Sequence, residues 1–364
     1  MKNLFVAAVI LALVLTPTFA LQAVQQQQQP QQGQQPAQPA PKPPRVLGQP
    51  QTREEYDKYV AITQATDNQQ RVKLSEDFLK DFPDSGLTPY VHQIAATTYQ
   101  QLNNYDKLVE HGEATLKELP DNAVILTFLA SGYAQRGKPD LAMERADKAV
   151  TAINALQAPP NVNPADFTKG KNDLLAMAYG SKGIAYVAKA QEARMKKAAE
   201  PKKEEPAHPA NPANPGAPAN GKKDDDPNLE LALTNLKKAI ELNPKDDLAY
   251  FEMGIAYTLK NDADNAVDSY AKAVAIGGFV SNLAKDKLKA VLEALSKPPQ
   301  AGTQTLTTCL SHPTRENWCV EWDQQVTKRM NEAVEKAKTA LNTPPPSAPP
   351  PPPPPAQSKP PSNY

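Results

Sequence analysis

Between residues 52 and 199, and again between 227 and 342, apolar positions recur every three or four residues, with charged and amide side chains between them. That is the period of a helix with one buried face. The pattern stops at three Pro-rich stretches. Residues 21–51 are mostly Gln, Pro and Ala; 200–226 repeat Pro-Ala and Asn-Pro; the tail beyond 341 includes an unbroken Pro run at 349–355. Most of the 38 prolines fall in these places, so they mark the boundaries. Such stretches cannot bury enough apolar surface to offset chain entropy and are expected to be disordered. The final Pro run favours a polyproline II rod.

Within the helical stretches the pattern repeats. In 247–280, Tyr250, Met253, Gly254 and Tyr257 are followed by Ala266, Tyr270 and Ala273. Gly254 and Ala266 are small where two helices must approach closely, and Asn261-Asp262 supplies a turn. Stepping back 34 residues from Ala266 reaches Ala232, with Leu236, Ala239 and Pro244 at the matching spacings. The same step links Leu108 to Ala142. These residues resemble the tetratricopeptide repeat, a helical hairpin of 34 residues, although Gly278 stands where that pattern usually has Pro. The resemblance implies an all-α fold, a right-handed superhelical solenoid of hairpins. It covers about five hairpins over 53–280, faint at 53–86 and strongest at 227–280. Residues 172–199, carrying Tyr179, Gly183 and Tyr186, pair with 229–242 across the Pro-rich segment 200–226. That segment is therefore expected to be an insert at one hairpin's turn, where length adds little closure cost.

Two further helical stripes follow, Leu283, Leu288, Val291, Leu292 and Leu295, then Val326, Met330, Val334, Ala337 and Leu341. Terminal helices over 281–342 are expected to cap the last apolar face of the solenoid. The N-terminus reads differently. Lys2 precedes an uncharged apolar run, 4–15, ended by Pro17, with Thr18 and Ala20 small before Leu21. This is the layout of a secretory signal, 1–20, cleaved after Ala20; an uncleaved anchor is the alternative. The expected organisation is thus a signal at 1–20, a disordered linker at 21–52, repeats at 53–280, capping helices at 281–342 and a disordered tail at 343–364. The mature chain is expected to be periplasmic or secreted, without stable membrane insertion.

Charge and cysteines refine this picture. Lys plus Arg and Asp plus Glu both number 40, so no global field favours nucleic acid. In an exported chain, Cys309 and Cys319 are expected to form a small disulfide loop. Free thiols, or a metal held with His312, are the alternatives. Trp318 and Trp322 flank Cys319 and are expected to pack on the bridge. No hydrolase, nucleotide-binding or zinc-protease motif occurs, and the four His residues, His92, His111, His208 and His312, fall into no metal-ligand spacing. No catalytic residue, cofactor or metal is expected, so the chain reads as a non-enzyme.

The family resemblance implies a protein ligand, a peptide or helix, in the groove lined by each hairpin's first helix. Helical geometry gives that lining as Tyr90, Gln93, Thr97, Gln100 and Gln101, then Val124, Thr127, Ser131 and Gln135. It continues with Met177, Ile184 and Val187, and ends at Leu248, Phe251, Ile255 and Leu259. The last four share a face and need a cover, either the chain's own C-terminal helix or a partner segment. The expected role is a scaffold or adaptor outside the cytoplasm. A tether acting through its Pro-rich ends is the alternative.

Overall fold

The structure, a computed structural model, describes residues 44–199, 226–312 and 316–343. Among these residues there are thirteen α-helices and no strand. Five hairpins follow one another: α1 (Arg53–Gln64) with α2 (Asn68–Asp81), α3 (Thr88–Gln101) with α4 (Tyr105–Leu116), and α5 (Ala123–Gln135) with α6 (Pro139–Ala155). Then α7 (Pro164–Ala199) pairs with α8 (Pro227–Leu242), and α9 (Asp247–Leu259) with α10 (Ala263–Ile276). Each second helix also packs on the first helix of the next hairpin, which makes an all-α solenoid. The expected signal, most of the N-terminal linker, most of the insert and the tail lie outside the described residues.

Local chemistry sets the boundaries. Thr52, Asp67, Asn104, Asn122, Asp246 and Asp262 each precede a helix and accept a hydrogen bond from a backbone N–H in its first turn. Asp226 does the same for α8, with Pro227 at the first helical position. Asn103, Gly137 and Asn261 occupy the tight turns inside three hairpins with φ of 55°, 63° and 58°. That left-handed conformation suits Asn and Gly, which explains the residue types chosen there.

The buried residues form four apolar clusters along the solenoid. Ile62, Phe78, Leu87 and Val91 close the first hairpin onto α3. Leu108, Ile125, Leu129, Ala142, Ile153 and Leu174 join α4 to α7, and Leu229, Leu233, Leu236 and Met253 join α7 to α9. Repeat residues fall as their sizes require. Ala232, Ala239, Ala266, Tyr270 and Ala273 are buried, as are Tyr250, Met253 and Gly254, while Tyr257 is half-buried and Pro244 lies exposed at a turn. Gly278 replaces the usual Pro for a visible reason: a Cβ there would stand 2.2 Å from the Asp247 carboxylate, which accepts the Val280 N–H at 3.1 Å.

Three features differ from the sequence reading. The helix expected from 172 begins at Pro164; its first two turns bury only Phe167 and Gly170, too few positions to show a stripe. Part of the linker expected to be disordered up to residue 52 is packed: Gly48 donates to Gly86 O at 2.8 Å, and Arg45 Nε donates to Ser85 O at 3.2 Å. The C-terminal helix α13 (Asn317–Asn342) lies on α10, α11 (Ser281–Leu295) and the short α12 (Leu306–Ser311), whereas α9 packs mainly on α7, α8, α10 and α11. The cover expected from α13 takes a less direct form: Leu248, Phe251 and Ile255 share one apolar cluster with Val326, Met330, Val334 and Leu341, while Leu259 falls in the cluster that joins α7 to α9. Val326 and Ala337 of α13 are buried, and Met330, Val334 and Leu341 pack half-buried beside them.

Candidate functional site

The first helices carry the expected lining, but the side chains separate into three environments. Around α3 and α5, Tyr90, Gln93 and Val124 border a groove of about 360 Å³, together with Glu118, Leu119, Pro120, Asp121, Asn122, Ala123 and Leu156. Gln93 is buried, and its Oε1 accepts from Asn122 Nδ2 at 2.8 Å. The Asn122 Oδ1 meanwhile accepts the Ile125 N–H at 3.1 Å as the cap of α5. One side chain thus starts a helix and fixes the amide that floors the groove. Thr97 is half-buried and Gln101 exposed on α3. Gln100 is half-buried, and its Oε1 is buried without a hydrogen-bond partner. On α5 Ser131 is half-buried and Gln135 exposed.

Other expected lining residues point into the protein. Thr127 is fully buried and donates to Ala123 O at 2.7 Å. Val187 is buried between α7 and α8, and Met177 and Ile184 pack half-buried on the core below. Phe251 is 9% exposed, with its ring 5.9 Å from that of Tyr270. Leu248, Ile255 and Leu259 are half-buried in the clusters that join α9 to its neighbours. The stripe expected to be left in water is thus largely covered by the solenoid itself. Leu119, Pro120, Asn122 and Leu156, the other main walls of the groove, escaped the helical reading because they sit in or beside the loops between hairpins. A hydrophobic residue in an otherwise polar interhelical loop, such as Leu119, was the signal available.

A half-buried polar cluster, with His111 its one fully buried member, lies between α2, α3 and α4. The Nδ1 atoms of His92 and His111 are 2.9 Å apart, and His111 Nε2 is 3.1 Å from Glu76 Oε1, which also accepts from the Tyr99 hydroxyl at 3.0 Å. Burial, and then the His111 charge, push the His92 imidazole down to about 4. Burial likewise lowers His111, against the pull of Glu76. Burial alone would raise Glu76, but His111, Tyr99 and Lys107 together hold it below the usual carboxylate range. Among the described residues no group of three His, Cys, Asp or Glu side chains could hold a metal ion.

At the C-terminal end, Cys309 and Cys319 are paired with their Cα atoms 5.8 Å apart, a separation a disulfide spans. Both are buried beside Trp322, whose ring stacks on that of Trp318 with centroids 6.5 Å apart. The pair fastens α12 to the start of α13. Among the described residues no helix is long and apolar enough to cross a membrane.

The tetratricopeptide-repeat (TPR) family matches residues 228–260, spanning α8 and α9. Among solved structures, the chain is similar to PilW, described as a widely conserved type IV pilus biogenesis factor. It is 16% identical over 78% of this chain and 98% of PilW, with a TM-score of 0.43. It is similar to TTC0263, a thermophilic TPR protein in Thermus thermophilus, at 18% identity over 68% of this chain and 99% of the other, with a TM-score of 0.39. MamA gives 17% identity over 69% of this chain and 96% of its own, with a TM-score of 0.36. No curated protein sequence matches the chain significantly.

Proposed function

We propose that this tetratricopeptide-type solenoid is a non-enzymatic scaffold that holds an extended protein segment in the groove between α3 and α5, outside the cytoplasm. The observation that carries the reading is the composition of that groove. Tyr90, Leu119, Pro120, Val124 and Leu156 supply apolar wall, while Gln93 and Asn122 supply amides fixed in place by their mutual bond. A concave, mostly apolar surface with a few positioned polar groups is how proteins recognise short ligands. The fixed amides also lower the ordering cost of binding. The signal-like N-terminus and the Cys pair support export.

Cross-linked capture from the native host tests this. The intact chain should retain a specific partner, and Leu119→Asp should lose it while its melting temperature stays within a degree or two of the parent. A variant that melts normally and retains the same partner would remove the groove from the account.

A further inference from the structure

We infer that the α3–α5 groove takes an extended segment that carries a basic side chain, with one of the segment's backbone carbonyls accepting a hydrogen bond from Gln93 Nε2. The inference rests on reading that groove as a peptide site, and it names the chemistry the site selects.

The first argument is a chain of amides with one possible orientation. Asn122 Oδ1 accepts the Ile125 N–H at 3.1 Å as the cap of α5, so its Nδ2 is the donor toward Gln93. Gln93 Oε1 accepts that bond at 2.8 Å, which leaves the other end of the same amide, Nε2, to donate. Among the described residues Nε2 has no hydrogen-bond partner. Gln93 is only 4% exposed and lines the groove, so what exposure it keeps opens there. A donor this deeply enclosed is costly to leave unmade. An extended peptide meets it with a backbone carbonyl, an acceptor that every residue of the ligand supplies.

The second argument is charge. Among the described residues that line the groove, Glu118 and Asp121 are carboxylates and none is Lys, Arg or His. The chain itself shows what fits at Glu118. Residues 44–50 form a strap beside α3: Gly48 lies against the Tyr90 ring, and a Cβ on Gly86 would stand 1.9 Å from Val46 O. The strap sets Arg45 at the groove's edge, where Nε donates to Ser85 O at 3.2 Å and Nη2 lies 2.7 Å from a Glu118 carboxylate oxygen. Asp121, three residues on, has no ion pair among the described residues. One carboxylate is thus matched from within, and the other is left for a ligand. A guanidinium or ammonium group on the segment answers it, while Leu119, Pro120, Val124 and Leu156 take the apolar side chains beside it. An acidic segment meets like charge at this rim and is disfavoured.

The test pans a random peptide library, displayed on phage, against the immobilised full chain. Enriched peptides should place Lys or Arg next to apolar residues. A synthetic copy of their consensus should bind several-fold more weakly when salt rises from about 0.05 M to about 0.5 M. Asp121→Asn should weaken it several-fold and flatten that salt dependence. Asn122→Asp then reads the amide chain. Aspartate caps a helix as well as asparagine does, but it cannot donate to Gln93, whose amide must turn its N–H groups inward. Charge alone would make this variant hold a basic peptide more tightly; loss of the Gln93 donor should instead weaken binding about three- to tenfold. Gln93→Leu should weaken it in the same range, with circular dichroism confirming the fold of each variant. No enrichment, enrichment of peptides without a basic residue, or binding left unchanged or tightened by Asn122→Asp and Gln93→Leu would each overturn the inference. The groove itself is decided separately: peptides without a basic residue that are still lost in Leu119→Asp would overturn this inference and leave the groove standing as a peptide site.

Discussion

His92 and His111 point their Nδ1 atoms at one another across 2.9 Å, so only one of the two nitrogens can carry a proton in the contact. Because His111 Nε2 faces the Glu76 carboxylate, it is the nitrogen that donates there, which leaves Nδ1 to accept from His92. Two charged rings cannot share this contact. The surrounding charges are Glu76 on α2, Lys107 and Glu110 on α4, and Lys117 just past its end, and they do not restore either ring to its ordinary value.

A pH dependence follows from this pair. A folded-state value near 4 lies below the unfolded value of about 6.5, so the unfolded chain takes up protons first as pH falls. The neutral pair contributes its stability fully above about pH 6.5 and loses it as pH falls towards 4. The melting temperature should therefore drop between pH 7 and pH 5, and His92→Gln should flatten that drop. An equally steep profile in the variant would place the acid sensitivity elsewhere.

Glu252 on α9 works in the opposite direction. It retains some surface exposure, yet burial of its carboxyl pushes it up to about 7. The folded chain holds this proton over a range where the unfolded chain has lost it. The contribution is fully present below about pH 4.5 and is lost as pH rises through 7. Glu252→Gln should then stabilise the protein by about 1–3 kcal/mol at pH 8 and leave it nearly unchanged at pH 4.5. Urea melts at the two pH values would show this; equal shifts at both would mean that the charge is already solvated.

The contrast between Gly254 and Gly183 shows how much of the fold the sequence carries. Gly254 was legible as a close-approach position and Gly183 as a match to the same first-helix pattern across the insert, and both do meet a partner helix. The Ala232–Ala266 step and the Asn turns were legible for the same reason: each demands a particular size or backbone shape. Phe251 was misplaced because α9 is apolar almost all round, so periodicity could not select its groove-facing side. The His pair, the 44–50 strap and the loop walls of the groove depend on contacts between distant parts of the chain, which no local period records.

Those two glycines give a graded prediction. A Cβ on Gly254 would lie 2.4–2.8 Å from three Tyr270 ring atoms, and that ring is fully buried and rigid. Gly254→Ala should cost about 1–3 kcal/mol, the usual cost of overpacking. A Cβ on Gly183 would lie 2.5 Å from Cγ of the fully buried Leu236 and 3.3 Å from Ala232 O. The gain in helix propensity, about 1 kcal/mol, offsets part of the strain at both positions. Gly183→Ala should also destabilise, by less than Gly254→Ala because a branched aliphatic side chain yields more readily than a ring, and a denaturant midpoint at or above the parent's would contradict the packing described.

The Cys309–Cys319 pair carries its own test. Closing a loop of ten residues restricts the unfolded chain by roughly 2–3 kcal/mol in the chain-entropy account. Both cysteines are buried, so reagents should not alkylate them in the untreated native protein. Reduction under denaturing conditions should add the mass of two hydrogens, and the reduced protein should melt at a lower temperature. Ready alkylation without reductant would show two free thiols.

The hairpin of α7 and α8 joins helices that are distant in sequence. Lys238 lies over the Tyr179 ring, 5.1 Å from its centroid, and Leu229, Ala232, Leu236 and Ala239 of α8 are fully buried in the joint core. The described side chains of α7 and α8 make that packing between themselves, so cutting the chain within 200–225 should leave the hairpin closed. Limited tryptic proteolysis is expected to cleave first within 200–225, at Lys202 or Lys222, and the two fragments should elute together on a sizing column. Shortening the insert to about a quarter of its length should stabilise the chain by about 1 kcal/mol, since closure entropy grows only with the logarithm of length. Fragments that separate under native conditions would show that the connection, rather than the buried face of α8, holds the fourth hairpin together, and the continuous solenoid would have to be redrawn as two independent halves.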